Sequence, residues 1–227
     1  MINKKIALRS AIVAASLLPT LAMASGYKLN EQSAAGMGTA HAGRAAMAED
    51  ASVVFYNPAA MTELDRAQMS AGFTYINGYG EFDGTATDVA GQPITADDDA
   101  YSDGGNFLGE SFIPFFYYAR PINEKVSVGL GVFTPFGTKT NYEDDFVGGG
   151  FADETSLISF EIAPTIAYQV NDQFSIGGGL DIVYMEGLLS KSVDSIPGAV
   201  NPAFAGFENH YEVKGDDWGV GWNIGAF

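Results

Sequence analysis

The chain has 227 residues, a formal net charge of −17 and no cysteine. Nucleic acid is a poor partner for so acidic a chain, because phosphate binding needs basic patches. Without cysteine, a disulfide framework and thiol chemistry are both excluded.

Residues 1–24 predict a cleaved secretory signal. Lys4, Lys5 and Arg9 precede an apolar stretch at 11–18, and small residues at positions 22 and 24 form a cleavage site. The apolar stretch is interrupted by Pro19 and is shorter than the ~20 residues that a membrane span needs. No later segment is apolar for long enough to form a membrane helix. An exported chain of this kind enters a bilayer only as a closed β-barrel, although composition alone also permits a soluble periplasmic β-protein.

Residues 25–64 predict a compact plug, or hatch, ahead of the strands. This region is rich in alanine and glycine, and small residues let a backbone pack tightly in a confined space. It contains the turn Asn57-Pro58-Ala59, where proline fixes φ and removes a hydrogen-bond donor. A plug inside a barrel needs these properties.

Residues 65–227 predict an antiparallel β-sheet, because apolar and small or polar residues alternate with period two. Segment 111–119 is aromatic on both faces, which indicates a strand near an interface or against a plug. Short connections at 120–124 and 170–173 alternate with long ones at 77–110, 136–154 and 190–217, which is typical of outer-membrane barrels. The predicted strands cover 67–76, 111–119, 125–133, 157–168, 173–184 and 218–226.

The long connections carry most of the acidic residues, and we interpret them as a solvated surface. None has the ligand spacing of a known calcium loop. His41 and His210 are not accompanied by a nucleophile elbow, a metal pair or a matched acid and base. We therefore expect no enzymatic activity, no metal site and no cofactor.

Six strands are fewer than the ~8 of the smallest membrane barrels. Phe227 stands out of register with the apolar even-numbered row of the last predicted strand, so it does not fit the terminal aromatic of a complete barrel. We therefore expect the barrel to be incomplete in this chain.

Four stretches resemble one family, in the same order along the chain. They read SGYKLNEQSAAGMGTAHAG, EDASVVFYNPAAMTELDRAQMSAGFTYI, GLGVFTPFGTKTNY and SLISFEIAPTIAYQVNDQFSIGGGLDIVY. With them the chain resembles the FadL family of outer-membrane long-chain fatty acid transporters, which also includes aromatic hydrocarbon channels. The resemblance implies an all-β transmembrane barrel of about fourteen strands, with an N-terminal hatch inside it, in the outer membrane of a Gram-negative bacterium.

The resemblance also implies site residues. Two basic residues, Lys139 and Arg66, are candidates for binding the carboxylate of a fatty acid, although both also suit simple surface charges. The family's third strand kinks inward and opens the wall, although glycines there also suit a crowded interior. The hatch motif would be Asn57, Pro58 and Ala59. The ligand site would include Tyr27, Phe133, Phe136 and Lys139. The lateral opening would include Gly129, Gly131 and Pro135. The external apolar groove would include Ile196, Val200, Phe204 and Phe207.

These features predict passive transport of long-chain fatty acids or similar hydrophobic molecules. Burial of apolar area, worth ~25 cal/mol per Å², would supply the affinity. The expected partners are hydrophobic small molecules and outer-membrane lipid, with no nucleic acid. The alternatives are an aromatic hydrocarbon channel of the same fold, and a structural or adhesive outer-membrane barrel whose acidic loops bind surfaces.

Overall fold

The computed structural model describes residues 26–84, 86–87, 91, 93–94, 102–143, 146–192 and 210–227. Two short helices, α1 (Ala34–Gly38) and α2 (Val53–Tyr56), and a 3-10 helix (Pro58–Glu63) precede the strands. The strands are β1 (Gln68–Asn77), β2 (Ala86–Thr87), β3 (Pro93–Ile94), β4 (Glu110–Pro121), β5 (Val126–Phe133), β6 (Gly137–Asn141), β7 (Glu154–Asn171), β8 (Phe174–Ser192) and β9 (His210–Ala226).

The main sheet is antiparallel and follows the order β1-β4-β5-β7-β8-β9, with β6 also paired to β7. It is not closed, and β1 and β9 form its two edges among the described residues. The six predicted strands are confirmed as β1, β4, β5, β7, β8 and β9. The hairpin β2–β3 and strand β6 lie inside connections that we expected to be loops.

The last three strands extend further than their alternation predicted. β9 begins at His210, eight residues before the predicted segment, and residues 210–217 read HYEVKGDD. This stretch pairs with β8 without a register shift, but its apolar residues Tyr211 and Val213 are odd-numbered and so are out of phase with the even-numbered apolar row that begins at Trp218. The alternation of the predicted segment therefore does not continue into it. Backbone pairing, rather than burial of side chains, extends the sheet in this region.

One face of the sheet carries rows of exposed apolar side chains. In β9, Trp222 and Ile224 are 74% and 76% exposed, while the intervening positions are small or polar. Such alternation is the signature of a barrel strand with lipid on one side and a lumen on the other. The outward rows include Met69, Phe73, Phe112, Leu130, Ile166 and Leu180.

No helix in the part of the chain that the structure describes is long and apolar enough to cross a membrane.

Residues 26–64, which we call the N-terminal segment, pack against the opposite, inward face of the sheet. The 3-10 helix contacts β4, β5, β7, β8 and β9. Met61 is fully buried between them. The apolar core therefore lies between this segment and the sheet. The core contains Ala51, Val53, Val54, Ala60, Met61 and Leu64 from the segment, and Phe115, Tyr117, Ala119, Phe133, Ala163 and Ala167 from the strands.

Glycines on the inward face let the segment come close to the strands. A Cβ added at Gly129 would lie 2.6 Å from atoms of both Met61 and Val54. One added at Gly177 would lie 2.5 Å from the backbone nitrogen of Ala59. Because backbone cannot move aside as a flexible side chain can, the contact at Gly177 requires glycine.

We expect Gly177→Ala to destabilise the complete protein by about 1–3 kcal/mol through overpacking. Its folded form should be lost at a lower temperature on a heat-modifiability gel. The matched control is Gly187→Ala on the same strand, where the nearest atom to an added Cβ is Leu157 Cδ1 at 3.9 Å. Equal melting of the two variants would contradict the proposed close approach.

Candidate functional site

Asn57 fixes the turn between α2 and the 3-10 helix. Its Oδ1 accepts a hydrogen bond from the backbone N–H of Ala59 at 3.2 Å, which caps the helix, and Pro58 occupies the first helical turn. Its Nδ2 donates to the carbonyl oxygens of Ala45 at 2.8 Å and Ala226 at 2.9 Å. The single amide therefore joins the turn, the preceding loop and strand β9.

A second contact ties the same helix to β8. The hydroxyl of Thr62 donates to Ser175 Oγ at 2.8 Å. Gly225 on β9 leaves room for Asn57, since an added Cβ would collide with Asn57 Oδ1. The predicted motif residues Asn57, Pro58 and Ala59 are thus buried against the last two strands.

The third long strand of the sheet is interrupted. β5 pairs with β7 up to Phe133↔Glu161, and β6 resumes the pairing at Gly137↔Ile158. Three residues, 134–136, therefore stand opposite two residues of β7. The extra residue reverses which side chains point outward on the two sides of the break. In β5 the odd-numbered residues face inward. In β6 the odd-numbered Lys139, which pairs with Ser156, faces outward.

The N-terminal segment supplies hydrogen bonds that the interrupted ladder lacks. Leu29 donates its N–H to the carbonyl of Pro135 at 3.0 Å, and Gly137 donates to the carbonyl of Tyr27 at 3.1 Å. The side-chain amide of Gln32 donates to the carbonyl of Thr134. Residues 27–32 therefore bind along the break in place of a neighbouring strand.

A hydroxyl from β7 completes the bonding at the break. Ser159 Oγ accepts from the N–H of Phe136 at 3.0 Å and donates to the carbonyl of the same residue at 2.7 Å. Ser159 is 2% exposed. This contact holds Phe136 out of the regular ladder.

A cavity of about 330 Å³ lies beside the break, between β4 and β6. Phe112 and Ile158 on its wall belong to outward rows, whereas Ile113 and Leu157 belong to inward rows. The cavity, which we call the wall cavity, therefore reaches both faces of the sheet. Its lining also includes Leu29, Glu110, Ser111, Phe136, Thr138 and Lys139.

The predicted opening residues do not all lie at the break. Pro135 does, but Gly129 and Gly131 are paired on both sides, with β4 and with β7. The ladder is therefore continuous at these two glycines, and an opening there stays a prediction. The physical reason is packing: Gly129 faces Met61 and Val54, and an added Cβ at Gly131 would lie 3.3 Å from the ring of Tyr117.

The predicted ligand residues fall in different places. Phe136 and Lys139 line the wall cavity. Phe133 is 3% exposed and packs edge-on against Phe55, with ring centroids 4.8 Å apart. Tyr27 is exposed and contributes its backbone carbonyl to the break. Ile196, Val200, Phe204 and Phe207, like the signal at 1–24, lie outside the described residues.

A second cavity, of about 220 Å³, lies between the inward face of the sheet and the N-terminal segment. We call it the inner cavity. Its apolar wall contains Phe55, Phe133, Pro135 and Phe136 among other residues, and its polar wall consists of Lys28, Glu161, Asp181 and Asn223. Phe136 at the break lines both cavities, so the inner cavity lies next to the wall cavity.

The family model for outer membrane protein transport proteins (OMPP1/FadL/TodX) matches residues 15–227. The chain belongs to this family. The resemblance stated from the four sequence stretches is therefore confirmed.

Relatives of this FadL-family chain carry transport and outer-membrane names. A long-chain fatty acid transport protein of Escherichia coli O6:H1 is 30% identical over 99% of this chain and 52% of its own length. One from Salmonella typhi is 30% identical with the same coverage, 99% and 52%. Outer membrane protein P1 of Haemophilus influenzae is 32% identical over 90% of this chain and 50% of its own. The chain thus spans about half the length of these relatives.

Solved structures confirm the barrel fold. A FadL homologue of Pseudomonas aeruginosa superposes with a TM-score of 0.70 and 28% identity, covering 89% of this chain and 49% of that one. The CymD monoaromatic hydrocarbon channel matches with a TM-score of 0.50 and 18% identity, over 88% and 50% of the two chains, which shows the fold alone. The open sheet described above is thus part of an outer-membrane FadL-type barrel.

Four residues of this FadL-family site were missed from the sequence, namely Lys28, Glu161, Asp181 and Asn223. Glu161 and Asp181 interrupt inward rows that otherwise consist mostly of small or uncharged residues. A charged side chain at an inward position is the signal that could have found them, because such positions face the lumen. Lys28 carried no comparable signal.

His41 takes part in a polar cluster of the N-terminal segment. Its Nδ1 lies 3.2 Å from the hydroxyl of Tyr56, and the guanidinium of Arg44 lies 4.9 Å from the centre of the Tyr56 ring. Burial raises the pKa of Tyr56, so its hydroxyl stays protonated at neutral pH. Across the described ranges, no group of three His, Asp or Glu side chains is placed to hold a metal ion.

We expect Asn57→Asp to loosen the N-terminal segment of this FadL-family protein. Aspartate keeps the acceptor for Ala59 but loses both donated hydrogen bonds, at a cost of about 1–3 kcal/mol. Trypsin should then cleave the assembled protein faster after Arg44.

The matched control is Asn123→Asp. The Asn123 side chain accepts from the N–H groups of Lys125 and Val126, and aspartate accepts equally well. Equal cleavage after Arg44 in wild type and Asn57→Asp would show that the two donated bonds do not hold the segment.

Proposed function

We propose that the protein passively transports long-chain fatty acids or similar hydrophobic molecules across the outer membrane. Support comes from membership of the family and from relatives named long-chain fatty acid transport proteins at 30% identity. Residues 1–24 would direct export and be removed, and residues 25–64 would act as the hatch. The outward apolar rows of the strands would face outer-membrane lipid.

The proposed route passes from an external groove to the inner cavity and then sideways through the wall. Ile196, Val200, Phe204 and Phe207 would supply the groove. Within the barrel, burial of the ligand's apolar surface supplies affinity at ~25 cal/mol per Å². Phe133 and Phe136, which line the inner cavity, would contact the ligand. Tyr27, whose carbonyl oxygen accepts from Gly137 at the break, would be a further contact.

The observation that carries the lateral exit is the wall cavity at the interrupted third strand. Its lining comes from both faces of the sheet, and its walls are mainly apolar. A ligand leaving there passes from apolar lumen to lipid without crossing water. Lys139 and Glu110, which line it, would meet polar head groups, whereas Arg66, which is exposed before β1, is not among its lining residues.

We expect a cross-link across the wall cavity to stop release without stopping binding. Ser111 and Thr138 line it from β4 and β6, and the protein has no native cysteine to interfere. In the complete protein carrying Ser111→Cys and Thr138→Cys, a reducible bismaleimide should abolish uptake of labelled oleate into cells. The cross-linked protein should still bind oleate, and reduction should restore uptake.

The matched control joins Met69→Cys to Tyr118→Cys, which are direct partners in the regular ladder between β1 and β4. This cross-link should leave uptake unchanged. Undiminished uptake with the β4–β6 link formed would mean that the ligand leaves by another route, through the N-terminal segment into the periplasm. A parallel assay with toluene separates fatty acid transport from aromatic hydrocarbon uptake.

A further inference from the structure

The connections between the strands show which end of the sheet faces the outside of the cell. Tight turns join β4 to β5 and β7 to β8, whereas long connections join β1 to β4, β6 to β7 and β8 to β9. Outer-membrane barrels have short periplasmic turns and long extracellular loops. At the extracellular end of the sheet, β4, β7 and β9 therefore begin, and β1 and β8 end.

Aromatic side chains mark the extracellular boundary of the outward face. Phe160 on β7 pairs with Tyr184 on β8, and Tyr184 pairs with Trp218 on β9. Their ring centroids lie 5.4 Å and 5.2 Å apart. The next outward pair toward the outside, Glu186 and Asp216, is charged. Aromatic girdles flank the apolar band of a membrane barrel, so these three rings lie where acyl chains meet head groups.

The same boundary continues on the other side of the break. Tyr75 on β1 pairs with Phe112 on β4, and their ring centroids lie 4.9 Å apart. The hydroxyl of Tyr75 donates to the carboxylate of Glu110 at 2.6 Å, so a charged residue again lies just beyond the aromatic pair. We call the five rings the outer belt, which consists of Tyr75, Phe112, Phe160, Tyr184 and Trp218.

The opposite boundary of the outward face lies near the periplasmic turns. Tyr168 on β7 and Phe174 on β8 are exposed there, and the outward residues of β7 between Phe160 and Tyr168 are Ile162, Pro164 and Ile166. Eight residues of a strand rise ~26 Å, which is about 20 Å of height at a tilt of ~40°. This height is close to the ~25 Å apolar band of an outer-membrane barrel.

The break lies at the outer belt and not in the middle of the apolar band. Residues 134–136 stand opposite Ser159 and Phe160 of β7. On the other side of the break, Phe112 of the outer belt lines the wall cavity. The residues of β7 that line this cavity, 156–158, all lie on the extracellular side of Phe160. The outer belt therefore flanks the wall cavity on both sides.

We propose that the wall cavity opens into the outer leaflet of the outer membrane, at the boundary between acyl chains and head groups, and releases the ligand there. The inference rests on the proposed lateral exit and names the lipid layer that receives the ligand. An amphipathic ligand suits this depth, because its chain enters the apolar band while its carboxylate stays among the head groups. Lys139, which faces outward at the cavity, offers that carboxylate a cation.

This depth gives the protein a defined place in the uptake of its ligand. A ligand released into the outer leaflet still has to cross the inner leaflet before it reaches the periplasm. A carboxylate is costly at the centre of a bilayer, so the neutral, protonated acid is the form that crosses. The step that follows release is therefore transbilayer movement of the neutral acid, and the step after it is extraction from the inner leaflet.

Spin labels measure the depth of the wall cavity directly. Single cysteines are introduced into the complete protein, in a cysteine-free background, as Lys139→Cys, Tyr184→Cys and Leu180→Cys, and each is labelled in a bilayer. Collision of the label with oxygen, compared with a water-soluble nickel complex, gives its depth. We expect the label at position 139 to lie as near the outside as the label at position 184, or nearer. Both should lie at least about 10 Å nearer the outside than the label at position 180, four residues along β8. A label at position 139 as deep as the one at position 180 would overturn the inference.

Photo-cross-linking identifies the lipid that receives the ligand. Cells that make the complete protein take up a fatty acid carrying a diazirine, and brief irradiation joins it to neighbouring lipid. We expect adducts with lipopolysaccharide, which forms the outer leaflet, to appear before adducts with phospholipid. Closing the Ser111→Cys and Thr138→Cys link should reduce them to the level of cells without the protein, whereas the Met69→Cys and Tyr118→Cys link should leave them unchanged.

The outcomes separate the leaflet assignment from the transport function. Phospholipid adducts that form first, or lipopolysaccharide adducts that persist with the β4–β6 link closed, would overturn the leaflet assignment and leave transport intact. Uptake and adducts no greater than in cells that lack the protein would overturn the transport function itself.

Discussion

The structure depends on how the backbone N–H and C=O groups find hydrogen-bond partners where the third strand is interrupted. Main-chain N–H and C=O groups in an apolar wall must find partners, because lipid offers none. At residues 134–136 the partners are the hydroxyl of Ser159 and the chain at 27–32. The opening beside β6 and the position of the N-terminal segment are therefore set by the same hydrogen bonds.

The rest of the N-terminal segment is held by close packing on inward faces that lack bulk. Gly129, Gly177 and Gly225 each leave space that a Cβ would fill. Asn57 adds polar contacts to Ala45 and Ala226, far apart in sequence. Binding at the break and packing at the turn fix the segment at two separate places, and the inner cavity lies between them.

The outward rows were predictable because lipid-facing side chains alternate with period two, and all six predicted strands are present. The break was harder to place. We expected Gly129 and Gly131 to interrupt the third strand, yet their lack of a side chain leaves room for Met61 and Tyr117 to pack there. Strand β6 (GTKTN) has no apolar row, so its pairing with β7 left no hydrophobic pattern. Lys28 and Glu161 are over a hundred positions apart in sequence but line the same cavity, so their proximity could be recognised only from the fold.

Amide hydrogen exchange at the break tests the central claim most directly, namely that the N-terminal segment replaces the missing ladder. In the complete protein reconstituted in lipid, the amides of Leu29 and Gly137 should exchange as slowly as those inside β5. Ser159→Ala should speed exchange at Phe136 and at both of these amides, because the break loses one of its anchors. Exchange of Leu29 and Gly137 at the rate of exposed loop amides in the wild type would contradict the account.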